Sequence, residues 1–214
     1  MSHRFVCEWF NAPMIDATGQ VLGGISVAVD ISDRKRAEAA VIQTDAQCKV
    51  SANIHDGLDS TLLILKYRLK ANEHRPAIDV IKEYSELPQI QCFPSQINQV
   101  FMNILANAID VFDEMAQTRS FAESQANPQQ ITIYTKAIEN WVQIRIRDNG
   151  KGMTQEVSAK IFNHLFTTKA VGKGTGLGLA IARQIVVEKH NGYLSVHSTL
   201  GQGTEFTILL PVKE

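Results

Sequence analysis

Along the segment from Gln96 to Ala116, Gln96, Gln99, Asn103, Asn107, Asp110 and Glu114 recur at helical spacing and share one narrow stripe. Phe101, Ile104, Leu105, Ala108, Phe112 and Met115 occupy the opposite side. A solvated helix face accounts for such polarity, but it normally draws on Glu, Lys and Arg. Asparagines one turn apart, at 103 and 107, are poor helix formers. A neutral carboxamide oxygen offers another chemistry: it completes the shell of a Mg²⁺ ion that already carries phosphate oxygens, without adding negative charge. Both readings remain open on the stripe alone.

A second group follows a strand. WVQIRIRD alternates, so Val142, Ile144, Ile146 and Asp148 share one face and Asp148 ends the apolar row. A carboxylate there needs a donor, because an unpaired buried charge is costly. Asp148-Asn149-Gly150 also suits a plain turn, and with Gly152 the backbone can approach a flat ring closely. A third group is GKGTGLGLAIARQIV, a glycine loop running into an apolar helix, whose free N–H groups and dipole favour phosphate. Six of the 13 glycines fall between Gly150 and Gly178. The polar NHLFTTKAVGK before this loop excludes a Rossmann strand, and Gly174 between Lys173 and Thr175 breaks the phosphate-loop lysine pattern.

The rest of the chain bounds the function. With 214 residues, 44% of them apolar, it can bury a core, and a net charge of −1 argues against nucleic-acid binding through a basic field. Cys7, Cys48 and Cys92 contain no CxxC pair, which fits neither a zinc site nor a disulfide framework and suggests a reducing compartment. The apolar runs fall far below the roughly 20 residues that span a bilayer, and no signal-like segment opens the chain, so no membrane insertion and a cytoplasmic location are expected.

The elements that must position these groups read as follows. Arg4 to Asn11 and VLGGISVAVD form a hairpin across Asp16 to Gln20, and DISDRKRAEAAVIQ forms a connecting helix. Ser51 to Lys70 is an amphipathic helix closed by Pro76, and AIDVIKEY is a strand. Gln96 to Ala116 is a helix and Gln117 to Gln130 a loop. QITIYTKA and NWVQIRIRD form a hairpin, Gly176 to Lys189 a helix stopped at Asn191-Gly192, and YLSVHS and TEFTILL two final strands. Without a regular βαβ repeat, this order predicts a two-layer α/β sandwich, one helical layer on a mixed sheet.

The ordered set NxxxNAxD, DNGKG, IFNHLFTTK, GTGLGL and GxGT resembles the ATP-binding domain of sensor histidine kinases, within the superfamily of gyrase, heat-shock chaperone and mismatch-repair ATPases. The resemblance covers roughly Ser51 to Val212 and implies a Bergerat-type ATP-binding fold with ATP and Mg²⁺ as ligands. It makes Asn107 the Mg²⁺-linked asparagine, with Asn103 and Asp110 beside it, and Asp148 the acceptor for the adenine amino group. Gly150 and Gly152 would let the backbone pass the base, and Thr204 would support it through a hydroxyl or water. Phe162 and Phe166 would anchor a mobile lid ending near Lys173, and Lys169 and Lys173 would be its cations. Gly174, Thr175, Gly176, Leu177 and Gly178 would shape the phosphate loop. His164 stands where many relatives have proline. Asn103 stands where gyrase-like relatives place the glutamate that activates water, which argues against rapid hydrolysis.

The opening resembles the last third of a PAS sensory domain, with Asp30, Ile31 and Ser32 at its end. The expected organisation is a PAS remnant over 1–33, a linker helix over 34–50 and the ATP-binding domain over 51–214. No phosphoacceptor hairpin is legible. Only His55 precedes an acid, Asp56, but it lies 52 residues before Asn107, inside the expected ATP-binding domain, and is the weak candidate for acceptor. The expected function is therefore a histidine-kinase catalytic domain phosphorylating a histidine on another chain, a separate acceptor protein or full-length kinase, with a response regulator downstream. A non-enzymatic ATP-dependent interaction module and a slow gyrase-like ATPase are the alternatives.

Overall fold

The computed structural model describes residues 7–15, 21–30, 49–118, 121–169 and 176–212. The chain divides into two compact units, Met1–Cys48 and Lys49–Glu214. In the first, β1 (Cys7–Ile15) pairs antiparallel with β2 (Val21–Asp30), Cys7 opposite Asp30. The expected turn between these strands and the expected linker helix lie outside the described residues.

The second unit opens with β3 (Val50–Ala52), paired antiparallel with β5 (Ile90–Cys92). Helix α1 (Ile54–Leu69) therefore starts later than the expected Ser51, where the Asn53 side chain accepts from the His55 N–H at 3.0 Å and caps the helix. Ile54, Leu58, Leu62 and Leu65 form its buried face. Gly57 brings α1 against α2 (Pro94–Ala116), since a Cβ there would lie 2.4 Å from Asn98 Oδ1.

Helix α2 begins two residues before the expected Gln96, with Pro94 in the first turn, where a missing N–H costs nothing. Its N-cap, Phe93, provides no side-chain cap; instead the Phe93 N–H donates to His190 Nε2 at 3.0 Å. The other ring nitrogen, Nδ1, lies 2.8 Å from the Ile185 carbonyl, so the fitting tautomer carries its proton on Nδ1.

A five-stranded sheet faces these helices in the order β4 (Asp79–Tyr84), β6 (Gln130–Ile138), β7 (Trp141–Asp148), β9 (Gly203–Pro211), β8 (Tyr193–Thr199). β4 and β6 run parallel and the other neighbours antiparallel, giving the expected mixed sheet. Ile131 and Ile133 from β6, Val142, Ile144 and Ile146 from β7, and Ile208 and Leu210 from β9 meet Phe101, Ile104, Leu105 and Phe112 of α2 in one core. On the edge strand β4, Asp79, Lys82 and Glu83 are charged, which discourages further strand pairing.

Two expected elements differ. The expected loop Gln117 to Gln130 contains a short helix, α3 (Phe121–Ala126), whose last turn is closed by the Asn127 N–H donating to the Glu123 carbonyl before Pro128. The expected helix Gly176 to Lys189 splits: α4 (Gln155–Ser158) precedes it, α5 spans Gly178–Arg183, and Gln184–Lys189 widens into a π-helix. Gly176 is at φ +64°, outside the helix, and the π turn ends at His190, the residue that holds the start of α2.

His190 joins two elements through one buried and one part-buried hydrogen bond, so His190→Leu strands a backbone donor and a backbone acceptor at once. The expected loss is about 2–5 kcal/mol of unfolding free energy. Urea denaturation of the full chain measures it, and a loss well below that range contradicts this role.

Candidate active site

Between α2, the C-terminal end of β7 and the N-terminal end of β9 lies a cavity of about 460 Å³. Its deep end is built on the β7–β9 register, which sets Asp148 opposite Thr204. Asp148 is 6% exposed, with Oδ1 accepting the Gly150 N–H at 2.9 Å. Burial pushes its carboxyl above the usual range, opposed by the backbone N–H groups of Gly150 and Thr204 and by the charge of Arg147. Asn149 makes the turn contacts: its Oδ1 accepts from Gln130 N at 2.8 Å and its Nδ2 donates to the Pro128 carbonyl at 2.9 Å. Turn and site are thus divided between neighbouring residues, and the Asp148 carboxylate is left for the cavity.

The floor depends on two glycines at positive φ. Gly152 (φ +65°) and Gly203 (φ +92°) approach backbone so closely that a Cβ would fall 2.0 Å from the Thr199 and Asp148 carbonyl oxygens. Ser198 ties these loops together: its hydroxyl donates to the Gly203 carbonyl at 3.0 Å, accepts from Met153 N at 2.8 Å, and lies 3.0 Å from Thr204 Oγ1. Thr204 is thereby held beside Asp148. At the mouth of this end Lys151 donates to Glu114 at 2.6 Å, joining the loop to α2.

The opposite end carries the asparagine stripe. Asn103 Nδ2 donates to the Gly178 carbonyl at 2.8 Å, which attaches the first residue of α5 to α2. Asn107 Oδ1 accepts from Lys169 Nζ at 3.1 Å, and Lys169 donates to Asp110 Oδ2 at 2.5 Å. Two oxygens therefore converge on one cationic nitrogen. Burial raises the Asp110 pKa, but its bonds to Lys169 and Arg68 outweigh that and hold it below the usual range. Among the described residues no group of three acidic, His or Cys ligands could hold a metal alone. Asn107 and Asp110 suit a hard cation only as partial ligands, with the remaining oxygens from phosphates and water.

Asn103, Asn107, Asp148, Gly152, Phe166, Lys169, Gly176, Gly178 and Thr204 of the expected site line the cavity. Asp110, Gly150, Phe162 and Leu177 do not line it. Asp110 stands behind Lys169, Gly150 backs the Asp148 carboxylate, and Leu177 is the N-cap of α5. Phe162 packs edge-on against Phe206 with ring centroids 6.4 Å apart, as an anchor rather than a ligand contact. Lys173, Gly174 and Thr175 lie outside the described residues. Sequence reasoning missed Gly203 and Ser198, although GxGT already contains the glycine, and it placed Glu114 on the stripe without a role. His55 stands elsewhere: its Nε2 lies 2.9 Å from Thr135 Oγ1 and its ring stacks on Tyr84 at 4.2 Å. Burial lowers its pKa, against the charges of Asp59 and Asp56.

The site lies on a helix-and-sheet sandwich, a fold shared with known families. The chain belongs to the family of histidine kinase-, DNA gyrase B- and HSP90-like ATPases, which it matches over residues 93–214. It is 30% identical to sporulation kinase E of Bacillus subtilis over 205 residues, 92% of this chain and 25% of that protein. It is 40% identical to the sensor histidine kinase ZraS of Escherichia coli K12 over 128 residues, 59% of this chain and 24% of that one. The chain thus spans about a quarter of the length of these relatives. In fold it is similar to the nucleotide-free catalytic domain of histidine kinase ThkA, with TM-score 0.59 and 22% identity over 77% of this chain and 96% of that one. Full-length ShkA in complex with AMPPNP gives TM-score 0.60 and 24% identity over 76% and 31% of the two chains. No helix among the described residues is long and apolar enough to cross a membrane.

Because the folded-state pKa of Asp148 is raised, its contribution to stability is fully present below the unfolded carboxylate pKa and is lost as pH rises through the folded value. Asp148→Asn removes that titration while keeping an oxygen for the Gly150 N–H. Without nucleotide, the variant is expected to melt above the parent chain at pH 7, with the gap closing as pH falls toward 4, near the ordinary range. Thermal melts across that range test the sign; a gap that widens on acidification contradicts it.

Proposed function

We propose that the pocket binds Mg-ATP and that the chain is the catalytic part of a sensor histidine kinase, passing the γ-phosphoryl to a histidine on a separate acceptor. The observation that carries this reading is the polarity of the cavity: a buried carboxylate with backbone donors at one end, and an asparagine and a lysine converging at the other. A carboxylate that accepts suits the amino group of adenine, and Thr204, held by Ser198, supplies a hydroxyl beside it. Gly152, packed on the Thr199 and Gly203 backbone, would form the floor beneath the ring. Lys169 would exchange its contacts for phosphate oxygens, together with Lys173, Gly174, Thr175, Gly176 and Gly178. Asn107 would hold Mg²⁺, which when bound neutralises charge on the phosphates.

The residue facing the phosphates is not a base. Asn103 spends its amide on the Gly178 carbonyl, where a glutamate would set a carboxylate against a carbonyl oxygen. Water is left unactivated and the γ-phosphoryl is reserved for a stronger nucleophile. In the transfer, the bond from the γ-phosphorus to its bridging oxygen breaks as the acceptor imidazole nitrogen bonds to phosphorus, leaving ADP. The acceptor must come within about 3–3.5 Å in line, a position that His55, packed on Tyr84 and Thr135, does not offer. The hairpin β1–β2 is compatible with the end of a PAS domain upstream of such a unit, and a response regulator would receive the phosphoryl downstream.

Asp148→Asn is expected to weaken ATP by about 10- to 150-fold, the value of a charge-assisted hydrogen bond of about 1.5–3 kcal/mol. Asn107→Ala should remove chiefly the Mg²⁺-dependent part of binding. Calorimetric titration with and without Mg²⁺ measures both; equal losses for Asn107→Ala under the two conditions refute its metal role.

With γ-labelled ATP, acid-labile label should appear on an added phosphoacceptor hairpin and not on the chain alone. Label on the chain that disappears in His55→Ala overturns the separate-acceptor reading. ATP-dependent partner binding without any transfer selects the interaction module instead.

A further inference from the structure

The cation end of the pocket is connected to a helix that does not line it. Asp110 has two carboxylate oxygens, each taken by a cation from a different element. Oδ1 accepts from Arg68 of α1 at 2.6 Å, and Oδ2 accepts from Lys169, which also reaches Asn107. The same nitrogen of Arg68 donates to Asp113 Oδ2 at 3.1 Å. The other oxygen of Asp113 is held at 2.6 Å by Arg75, which is 1% exposed and donates as well to the carbonyls of Arg68, Lys70 and Pro76. Asp110 cannot turn from Lys169 without leaving Arg68, and Arg68 cannot follow it without leaving Asp113.

We propose that Arg68 is a positioning residue for the nucleotide: from α1 it orients Asp110 and offsets its charge, so that Lys169 and Asn107 are presented at the phosphate end. This rests on the reading of the pocket as a Mg-ATP site. Arg68 and Asp110 are both partly exposed, and such pairs add little to stability. Their consequence is directional. Without Arg68, Asp110 keeps a negative charge one helical turn from Asn107, where a triphosphate must arrive, and the repulsion is strongest at low salt. Removing that charge should make Arg68 dispensable.

Arg68→Met is expected to weaken Mg-ATP about tenfold at low ionic strength, the scale seen when outer partners of ligating groups are lost. Adenosine, which meets only the Asp148 end, should bind as in the parent chain. In an Asp110→Asn background Arg68→Met should cause no further loss, and Arg68→Lys, which keeps the charge, should recover the salt-dependent part. Unchanged Mg-ATP affinity in Arg68→Met, equal losses for adenosine and ATP, or an undiminished loss in the Asp110→Asn background would overturn the proposal.

A nucleotide-free measurement separates this proposal from the ATP reading. Acylation of Lys169 by an amine-reactive ester, followed by mass spectrometry, should be slower in Arg68→Met, since the uncompensated Asp110 holds the Lys169 ammonium more tightly, with Lys82, paired to Asp59, as internal control. If the parent chain binds no ATP but Lys169 labelling still falls in Arg68→Met, the relay holds and the Mg-ATP reading falls. Lys169 labelling unchanged relative to Lys82 refutes the relay.

Discussion

Burying a carboxylate is costly unless donors meet it, and at Asp148 backbone N–H groups, with the charge of Arg147, offset only part of that cost. The surrounding construction follows from that constraint. The β7–β9 register sets Thr204 opposite it, Gly150 turns an N–H back to its Oδ1, and Gly203 passes close enough to touch the Asp148 carbonyl. Ser198 then holds Gly203, Met153 and Thr204 in fixed relation. Shifting the register by one residue would exchange the two faces of β7, exposing Ile144 and Ile146 and withdrawing Asp148 from the cavity. The hydrophobic core and the polar end of the site are therefore specified by the same pairing.

Helix α2 carries the other half of the arrangement because it has two faces with different obligations. Phe101, Ile104, Leu105 and Phe112 seal the sheet, while Asn103, Asn107 and Asp110 face α5 and the segment bearing Lys169. Its N-terminus is held by His190 and its flank by α1, so the stripe has little freedom to rotate. A buried guanidinium such as Arg75 would be costly without partners. Three carbonyls and Asp113 satisfy it, and Asp113 passes part of that constraint to Arg68.

Much of this was legible in the residues because periodicity and turn chemistry speak directly. The alternation of WVQIRIRD put Asp148 at the end of a buried row, and the helical spacing of the stripe placed Asn103 and Asn107 on the cavity wall. Contacts across long sequence separations were not legible. Arg68 and Asp110 are 42 residues apart and nothing local marks them as partners. The three-residue strands β3 and β5 are too short for a period, and the parallel pairing of β4 with β6 leaves no local trace. The π-helix at Gln184–Lys189 was hidden because its residues suit an ordinary helix; its position is tied to the tertiary bond between His190 and Phe93. Asp148-Asn149-Gly150 showed how two competing readings can both hold, since Asn149 makes the turn and Asp148 faces the pocket.

The two ends of the cavity make opposite physical demands. At the Asp148 end the contacts are backbone and short side chains, closed by glycines whose positions admit no Cβ, so recognition there is preorganised and costs little ordering on binding. At the Asn107 end the contacts belong to a long, charged side chain, Lys169, held against Asn107 and Asp110. Such contacts exchange readily, because a charged lysine loses one anionic partner only as it gains another. The proposed phosphate-bearing ligand would fit both demands: its rigid base would meet the fixed end, and its flexible charged tail the end where ion pairs can be traded. Asn103, bonded to Gly178 at the junction, contributes shape without basicity. On the proposed reading, the pocket holds and orients a phosphoryl group and leaves its displacement to a nucleophile from outside.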